Sequence, residues 1–327
     1  MGAGLGLFVI AVLTWLASAS SFSSVDVVGL GTSTIGYAVP LILGALCGVM
    51  CERSGVINVA IEGQMLAGAW TAALIGTLLG ATAGMAAGAF AGALVGCLLA
   101  VFAIRYFVNQ VVLGVVLNVF AAGLTGFFYD AFMQPHAAAL NQPPLLDNIK
   151  LPLLGSIPVI GPLFFDTSVI VYLTYILIIV VDVWLFRTRW GLRTRAVGEH
   201  PKASDTVGIN VLAMRYRNVI IGGAIAGLAG SYFIFQVGQF QKNISSGAGF
   251  IALAALIFGR WSPRGAVAAA LLFGFASAMQ VTMSINAPSI PSAFIAMLPY
   301  IATIVAVAGL VGKVRAPAAD GEPYVKE

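Results

Sequence analysis

Glu62 is the residue whose position in this sequence most needs a chemical explanation. It stands in SGVINVAIEGQMLAGAW (54–70), an apolar stretch of membrane-spanning character. A carboxylate there is costly unless it faces a wet cavity or a partner. With a helix starting near Val56, Asn58, Glu62 and Met65 share one face at i, i+4, i+7 spacing, and Gln64 stands beside them. Two chemistries fit. The patch can hydrogen-bond substrate hydroxyls along a route, or Glu62 can pair with Arg53 or take backbone N–H groups from a broken helix. Further along, Asn118 shares a face with Gly114 and Thr125, with Gln110 near the start of the same segment. Its amide suits a polar ligand or a neighbouring helix equally. Gln236 and Gln239, near Tyr232 and Phe235, suit a base or sugar ring, and an interfacial belt reads the same way.

Other chemistry lacks its residues. There is no GxxxxGK[ST] phosphate loop. The two histidines, His136 and His200, both fall in expected loops, which leaves no histidine-based metal or acid–base centre. A proton-driven carrier normally shows several intramembrane carboxylates; here Glu62 is the clear case, with Asp182 near a helix end. Cys47 and Cys51 are four apart and can share a helix face, as a metal pair or as plain buried thiols. With Cys97 they imply no disulfide framework.

One charged stretch separates two apolar halves. RTRWGLRTRAVGEHPKASDTVGINVLAMRYR (187–217) carries seven of the sixteen Lys/Arg residues. Pro201 suits the first turn of a helix and Gly208 the left-handed position that ends one. That leaves a helix of about two turns between them, and Asn210 can cap the next. Such a rigid segment is a handle for another protein or a solvated positive-inside loop.

The elements that must position these residues follow from composition. Sixty per cent hydrophobic residues against nine per cent charged, with a mean hydropathy of +1.00, describe an all-α polytopic membrane protein. The apolar runs do not alternate as barrel strands would. The basic residues group at expected helix ends, so the net charge does not indicate nucleic acid. Spans are expected at 4–20, 30–50, 56–80, 83–104, 110–130, 167–186, 218–238, 248–260, 265–285 and 293–312, about ten in all. No basic n-region precedes 4–20, which reads as a first membrane helix. With both termini cytoplasmic, fourteen of the sixteen basic residues face inward and Lys150 and Lys242 face out.

The expected organisation is a transmembrane domain over 1–315, with the 187–217 loop inside and an external loop at 131–166. That external loop holds six prolines, which forbid a long helix but allow an ordered cap. A polar tail, 316–327, is expected to be mobile. Glycines 76, 80, 84, 88, 92 and 96 line one helical face for close packing. GVINVAI from Gly55 and GFIALAA from Gly249 each follow a serine–glycine turn yet run in opposite directions. Such inverted repeats place a pathway where the halves meet.

Four stretches resemble the permease subunits of ATP-binding-cassette importers for branched-chain amino acids, simple sugars and nucleosides. They are CERSGVINVAIEGQMLAGA (51–69), NQVVLGVVLN (109–118), GLRTRAVGEHPKASDTVGIN (191–210) and GFIALAALIFGRWSPRGA (249–266). They look most like the nucleoside branch and, within it, the shorter of two paired permeases. The resemblance implies a multi-pass subunit of the bacterial plasma membrane, without catalytic residues, metal or cofactor of its own. ATP and Mg would sit on a cytoplasmic ATP-binding-cassette ATPase. A second homologous permease would complete the pathway and an extracytoplasmic binding protein would deliver substrate. Asn58, Glu62, Gln64, Asn118 and Gln236 would be the pathway residues. Glu199, His200, Pro201, Lys202, Ala203, Asp205 and Gly208 would be the ATPase-coupling residues. A permease for a simple sugar or branched-chain amino acid, and a stand-alone secondary carrier, are the competing readings.

Overall fold

A computed structural model describes residues 27–286, Met297 and residues 315–326. Its helices are α1 (Val27–Glu52), α2 (Ile61–Leu79), α3 (Ala81–Ala100), α4 (Gln110–Phe128), α5 (Val169–Arg187), α6 (Arg189–Glu199), α7 (Pro201–Thr206), α8 (Val211–Val237), α9 (Ala248–Phe258) and α10 (Pro263–Asn286), with shorter turns between them. Strands β1 (Asn148–Lys150) and β2 (Asp166–Ser168) form a two-stranded ribbon.

Six helices among the described residues are long and apolar enough to cross a membrane: α1, α3 with its π-turn extension to Arg105, α4 extended to Met133, α5, α8 and α10. The ten expected spans are therefore not all present as such. Those at 4–20 and, apart from Met297, 293–312 lie outside the described residues. The one expected at 56–80 starts only at Ile61, because Gly55 turns with φ of 85° and the chain stays irregular to Ala60. The one at 248–260 is the eleven-residue α9, too short to cross upright. The helix order does not establish an inverted repeat. What it shows locally is that both echoing segments begin at a helix break.

The described residues divide into two compact units. One comprises 27–38, 150–166 and 271–286 with Met297. Its packing turns on small residues: a Cβ on Gly274 would stand 2.7 Å from the Thr34 carbonyl oxygen.

The other unit comprises 39–149, 167–270 and 315–326. The glycine ladder organises its core. Gly84, Gly88, Gly92 and Gly96 are all buried on α3. A Cβ on Gly92 would lie 2.6 Å from the Gly227 Cα of α8, and one on Gly96 2.9 Å from the Val219 carbonyl oxygen. The ladder thus packs within this subunit, where only hydrogen lets the α3 and α8 backbones approach so closely. Part of the proline-rich connection is also ordered. The Asn141 amide donates to the Phe240 carbonyl at 3.0 Å and its Oδ1 accepts from the Phe240 N–H at 2.7 Å.

Candidate functional site

The site grows from two helix breaks in the second unit. Helix α2 begins in mid-chain, so its first N–H groups have no partner within the helix. Side chains of α4 supply a partner for one of them, at Gly63, and for one in the approach, at Ile57. Asn118 on α4 accepts the Gly63 N–H at 2.7 Å and donates to the Val59 carbonyl at 2.9 Å. Gln110, at the start of α4, accepts the Ile57 N–H at 2.7 Å. Gly114 lies between them, where a Cβ would stand 2.7 Å from the Val59 side chain. One face of α4 therefore stitches the irregular stretch 57–60 and the first turn of α2 in place.

Glu62, in the first turn of α2, performs the same service for α9. Its Oε1 accepts from the Ser245 hydroxyl at 2.6 Å and the Gly247 N–H at 2.9 Å, and its Oε2 from the Gly249 N–H at 2.6 Å. Glu62 is 5% exposed. It stands at the N-termini of two helices, where their partial positive charge favours an anion. Gly249 is needed for this approach, since its Cβ would stand 2.6 Å from the Glu62 Cα. Of the partners considered from sequence, the broken helix is the one found. Arg53 instead donates to the Trp261 carbonyl at 2.7 Å and the Arg260 carbonyl at 3.3 Å.

Asn58 and Gln64 are wholly buried. The Asn58 amide donates to Cys47 Sγ at 3.2 Å, Cys51 Sγ at 3.4 Å and Gln64 Oε1 at 3.1 Å, while its Oδ1 accepts the Ala60 N–H at 3.1 Å. The two thiols are thus packed around an amide. Among the described residues no group of three or more His, Cys, Asp or Glu could hold a metal ion. Because α2 starts only at Ile61, Asn58 lies in the irregular approach and does not share a helix face with Glu62 and Met65 as the spacing predicted. Asn58, Glu62 and Asn118 each bond backbone groups around the two helix breaks. The polar side-chain atoms of these three bond protein groups, whereas the buried Gln64 Nε2 has no hydrogen-bond partner among the described residues. Gln236 stands apart, exposed near the C-terminal end of α8.

The charged segment has the local structure its sequence implied. Pro201 opens α7 and Gly208 closes it at φ of 82°. The Asn210 side chain accepts the Ala213 N–H at 2.9 Å at the start of α8. Sequence reasoning missed α6, which Thr188 caps through the Gly191 N–H at 3.1 Å. Glu199, His200, Lys202 and Ala203 are exposed, as is the apolar Val207. Polarity alone had also suggested that the 316–327 tail is mobile; residues 315–326 are instead docked here. The Ala319 N–H donates to the Gly198 carbonyl at 2.9 Å, the Ala318 N–H to Glu199 at 3.2 Å and the Tyr324 hydroxyl to Asp205 at 2.8 Å. Tyr324 packs with Val197, Val211 and Met214. A single aromatic in a polar tail was the available signal.

The tail also carries a buried charge cluster. Arg215, 1% exposed, donates to the Glu322 carbonyl at 2.8 Å. The Trp261 indole donates to Glu52 at 2.5 Å. Burial, and then the neighbouring Glu52, push Asp320 up to about 8, against the partly offsetting charge of Arg215.

Comparison with known proteins adds what geometry cannot. Residues 31–308 match the family described as branched-chain amino acid transport system, permease component. The chain is 44% identical over 308 residues to the guanosine ABC transporter permease protein NupQ of Bacillus subtilis, covering 90% of this chain and 95% of that one. It is 39% identical over 302 residues to the nucleoside ABC transporter permease protein NupC of Lactococcus lactis, covering 89% and 94%. A candidate glucose ABC transporter permease protein of Haloferax volcanii, TsgC13, is 32% identical over 264 residues, 77% of each chain. No solved structure matches.

Proposed function

The chain belongs to the permease-component family of branched-chain amino acid transport systems, and from that premise we propose that it forms half of the translocation pathway of an ATP-driven nucleoside importer. It is a multi-pass membrane subunit without catalysis of its own, and ATP is bound by a separate ATPase. The observation that carries the substrate class is the pair of near-full-length relatives at 44% and 39% identity, both named for nucleosides or guanosine. The glucose-named relative, at 32% over a shorter span, supports a sugar as the second reading.

The rest of the assembly follows the same reading. A second homologous permease completes the pathway, and an extracytoplasmic binding protein delivers the substrate. Ten spans in inverted halves, with both termini cytoplasmic, put fourteen of the sixteen basic residues on one side. Glu199, His200, Pro201, Lys202, Ala203, Asp205 and Gly208 form the face that docks on the ATPase. In support, α7 has fixed ends and exposed Glu199, His200, Lys202 and Ala203, with Val207 as an apolar contact. The pathway passes beside the Glu62 junction, whose role is to hold α2 and α9 as rigid half-helices flanking it.

The test is reconstitution with the ATPase, the second permease and the binding protein. ATP-dependent uptake of labelled guanosine, with glucose as the competing substrate, is the expected result. Uptake of glucose and not guanosine selects the second reading. Uptake by this chain alone without ATP rejects the importer.

A further inference from the structure

A cavity of about 370 Å³ opens where α3 ends and α8 begins, lined by Ile104, Arg105, Phe107, Leu212, Tyr216, Tyr324, Val325 and Lys326. It shares no residue with the Glu62 junction. We propose that it binds the phosphate-bearing headgroup of an anionic phospholipid, which thereby fastens the C-terminal tail to the membrane domain.

Charge, apolar wall and place in the chain point the same way. Two lining residues carry positive charge and none carries negative charge. Neither Arg105 nor Lys326 is in an ion pair with another described residue. A phosphodiester accepts hydrogen bonds from guanidinium and ammonium together, and arginine matches its geometry in particular. Tyr216 adds a phenol beside them. The remaining wall, Ile104, Phe107, Leu212 and Val325, is apolar, which suits the glycerol and first acyl carbons better than a freely diffusing anion.

The position supports a lipid rather than a soluble ligand. Arg105 is the last residue of one candidate span and Leu212 the second of another. Phe102, Tyr106 and Val108 around Arg105 are exposed, as a helix end at a bilayer surface would be. Phe107 holds the left-handed region at φ of 54°, uncommon for a bulky residue, and forms part of the wall. The tail supplies the opposite side. Tyr324 is anchored through Asp205, leaving Val325 and the exposed Lys326 at the cavity. A headgroup held by both Arg105 and Lys326 bridges a span and the tail. The inference rests on the family reading only for placing these helix ends at a leaflet surface.

The test uses the purified full chain in neutral detergent, without ATPase or substrate, so it stands or falls separately from the transport reading. Native mass spectrometry counts retained phosphatidylglycerol against phosphatidylcholine, and amide exchange follows residues 315–326. Wild type should retain phosphatidylglycerol preferentially, with slower exchange in the tail. Arg105→Gln with Lys326→Gln should weaken that retention about thirtyfold, roughly fivefold per basic side chain at an anionic surface. Arg105→Lys with Lys326→Arg should keep most of it. Equal retention of both lipids by wild type overturns the proposal without need of any variant. Undiminished retention by the double glutamine variant overturns it too. Protection of the tail by inorganic phosphate alone, at concentrations that displace phosphatidylglycerol, shows a free-anion site and rejects the lipid.

Discussion

The Glu62 carboxylate of α2 accepts the Gly249 N–H of α9 at 2.6 Å, so one helix break is closed by the first turn of another. An acidic residue inside an apolar segment is here the device that lets α9 start in mid-chain, as the Asn118 amide does for α2.

Glu62→Gln should therefore act on stability first. The amide has one acceptor oxygen where the carboxylate has two, so a backbone N–H of Gly247 or Gly249 is left facing a donor. A buried unsatisfied group of this kind costs about 1–3 kcal/mol. The expected outcome is a lower melting temperature of the solubilised chain before any partner is added. Arg53→Gln should not restore it, because Arg53 is bonded to the Arg260 and Trp261 carbonyls. Normal melting with reduced uptake would instead return Glu62 to direct substrate contact.

Gly88→Leu should disrupt the same unit from its other side. A Cβ at Gly88 already lies 2.8 Å from the Gly68 carbonyl oxygen and meets the Ser231 hydroxyl. Overpacking of this kind typically costs about 1–3 kcal/mol, and backbone atoms cannot turn aside. The variant should fail to accumulate in membranes or melt early. If it matches the parent, α3 is not packed on α2 and α8.

How far the sequence foretold this depends on the range of the forces involved. Pro201, Gly208 and Asn210 were legible because helix ends are local matters of φ, a missing N–H and one side-chain cap. Gly84, Gly88, Gly92 and Gly96 were legible as a close-packing face, although their partner, α8, was not. The expected face does not extend to Gly76 and Gly80, because Gly80 turns the chain at φ of 91° between α2 and α3. Glu62 was recognisable as anomalous, but its partners Ser245, Gly247 and Gly249 lie over 180 residues away. Spacing on one helix cannot tell a ligand from a distant backbone. The tail was misjudged because its polarity hid Tyr324 and backbone bonds to Gly198, neither of which composition records.

The α6–α7 segment should transmit work only while it is rigid. Replacing Glu199 with Gln and Gly208 with Ala loosens one tail contact and strains the φ of 82° that ends α7. A side chain in that region costs about 1–2 kcal/mol. In the assembled complex, ATP hydrolysis should continue while uptake per ATP falls. Deleting residues 318–326 should do the same, since it removes the Glu199 and Asp205 contacts together. Unchanged uptake by both variants would separate this segment from coupling.

Docking of the tail should also weaken as pH rises. In the docked tail Asp320 is raised from an ordinary 3.8 to about 8, by burial first and then by Glu52. Its Oδ1 accepts no hydrogen bond to soften that burial. The charged groups facing it are Glu52 and Arg215, and Arg215 opposes the shift. The docked form thus holds a proton that the released tail gives up above its ordinary value. The contribution is complete below pH 3.8 and is lost progressively as pH climbs through about 8. Within that window the docking equilibrium should fall by up to about tenfold per pH unit. Amide exchange of residues 315–326, corrected for the intrinsic effect of pH, should accelerate from pH 6 to pH 9 in the wild type. Asp320→Asn keeps the side chain neutral throughout and should reduce that dependence. Glu52→Gln removes the neighbouring charge and should move the transition to lower pH. A tail whose protection does not change over this range would show that Asp320 stays charged when docked, held by Arg215.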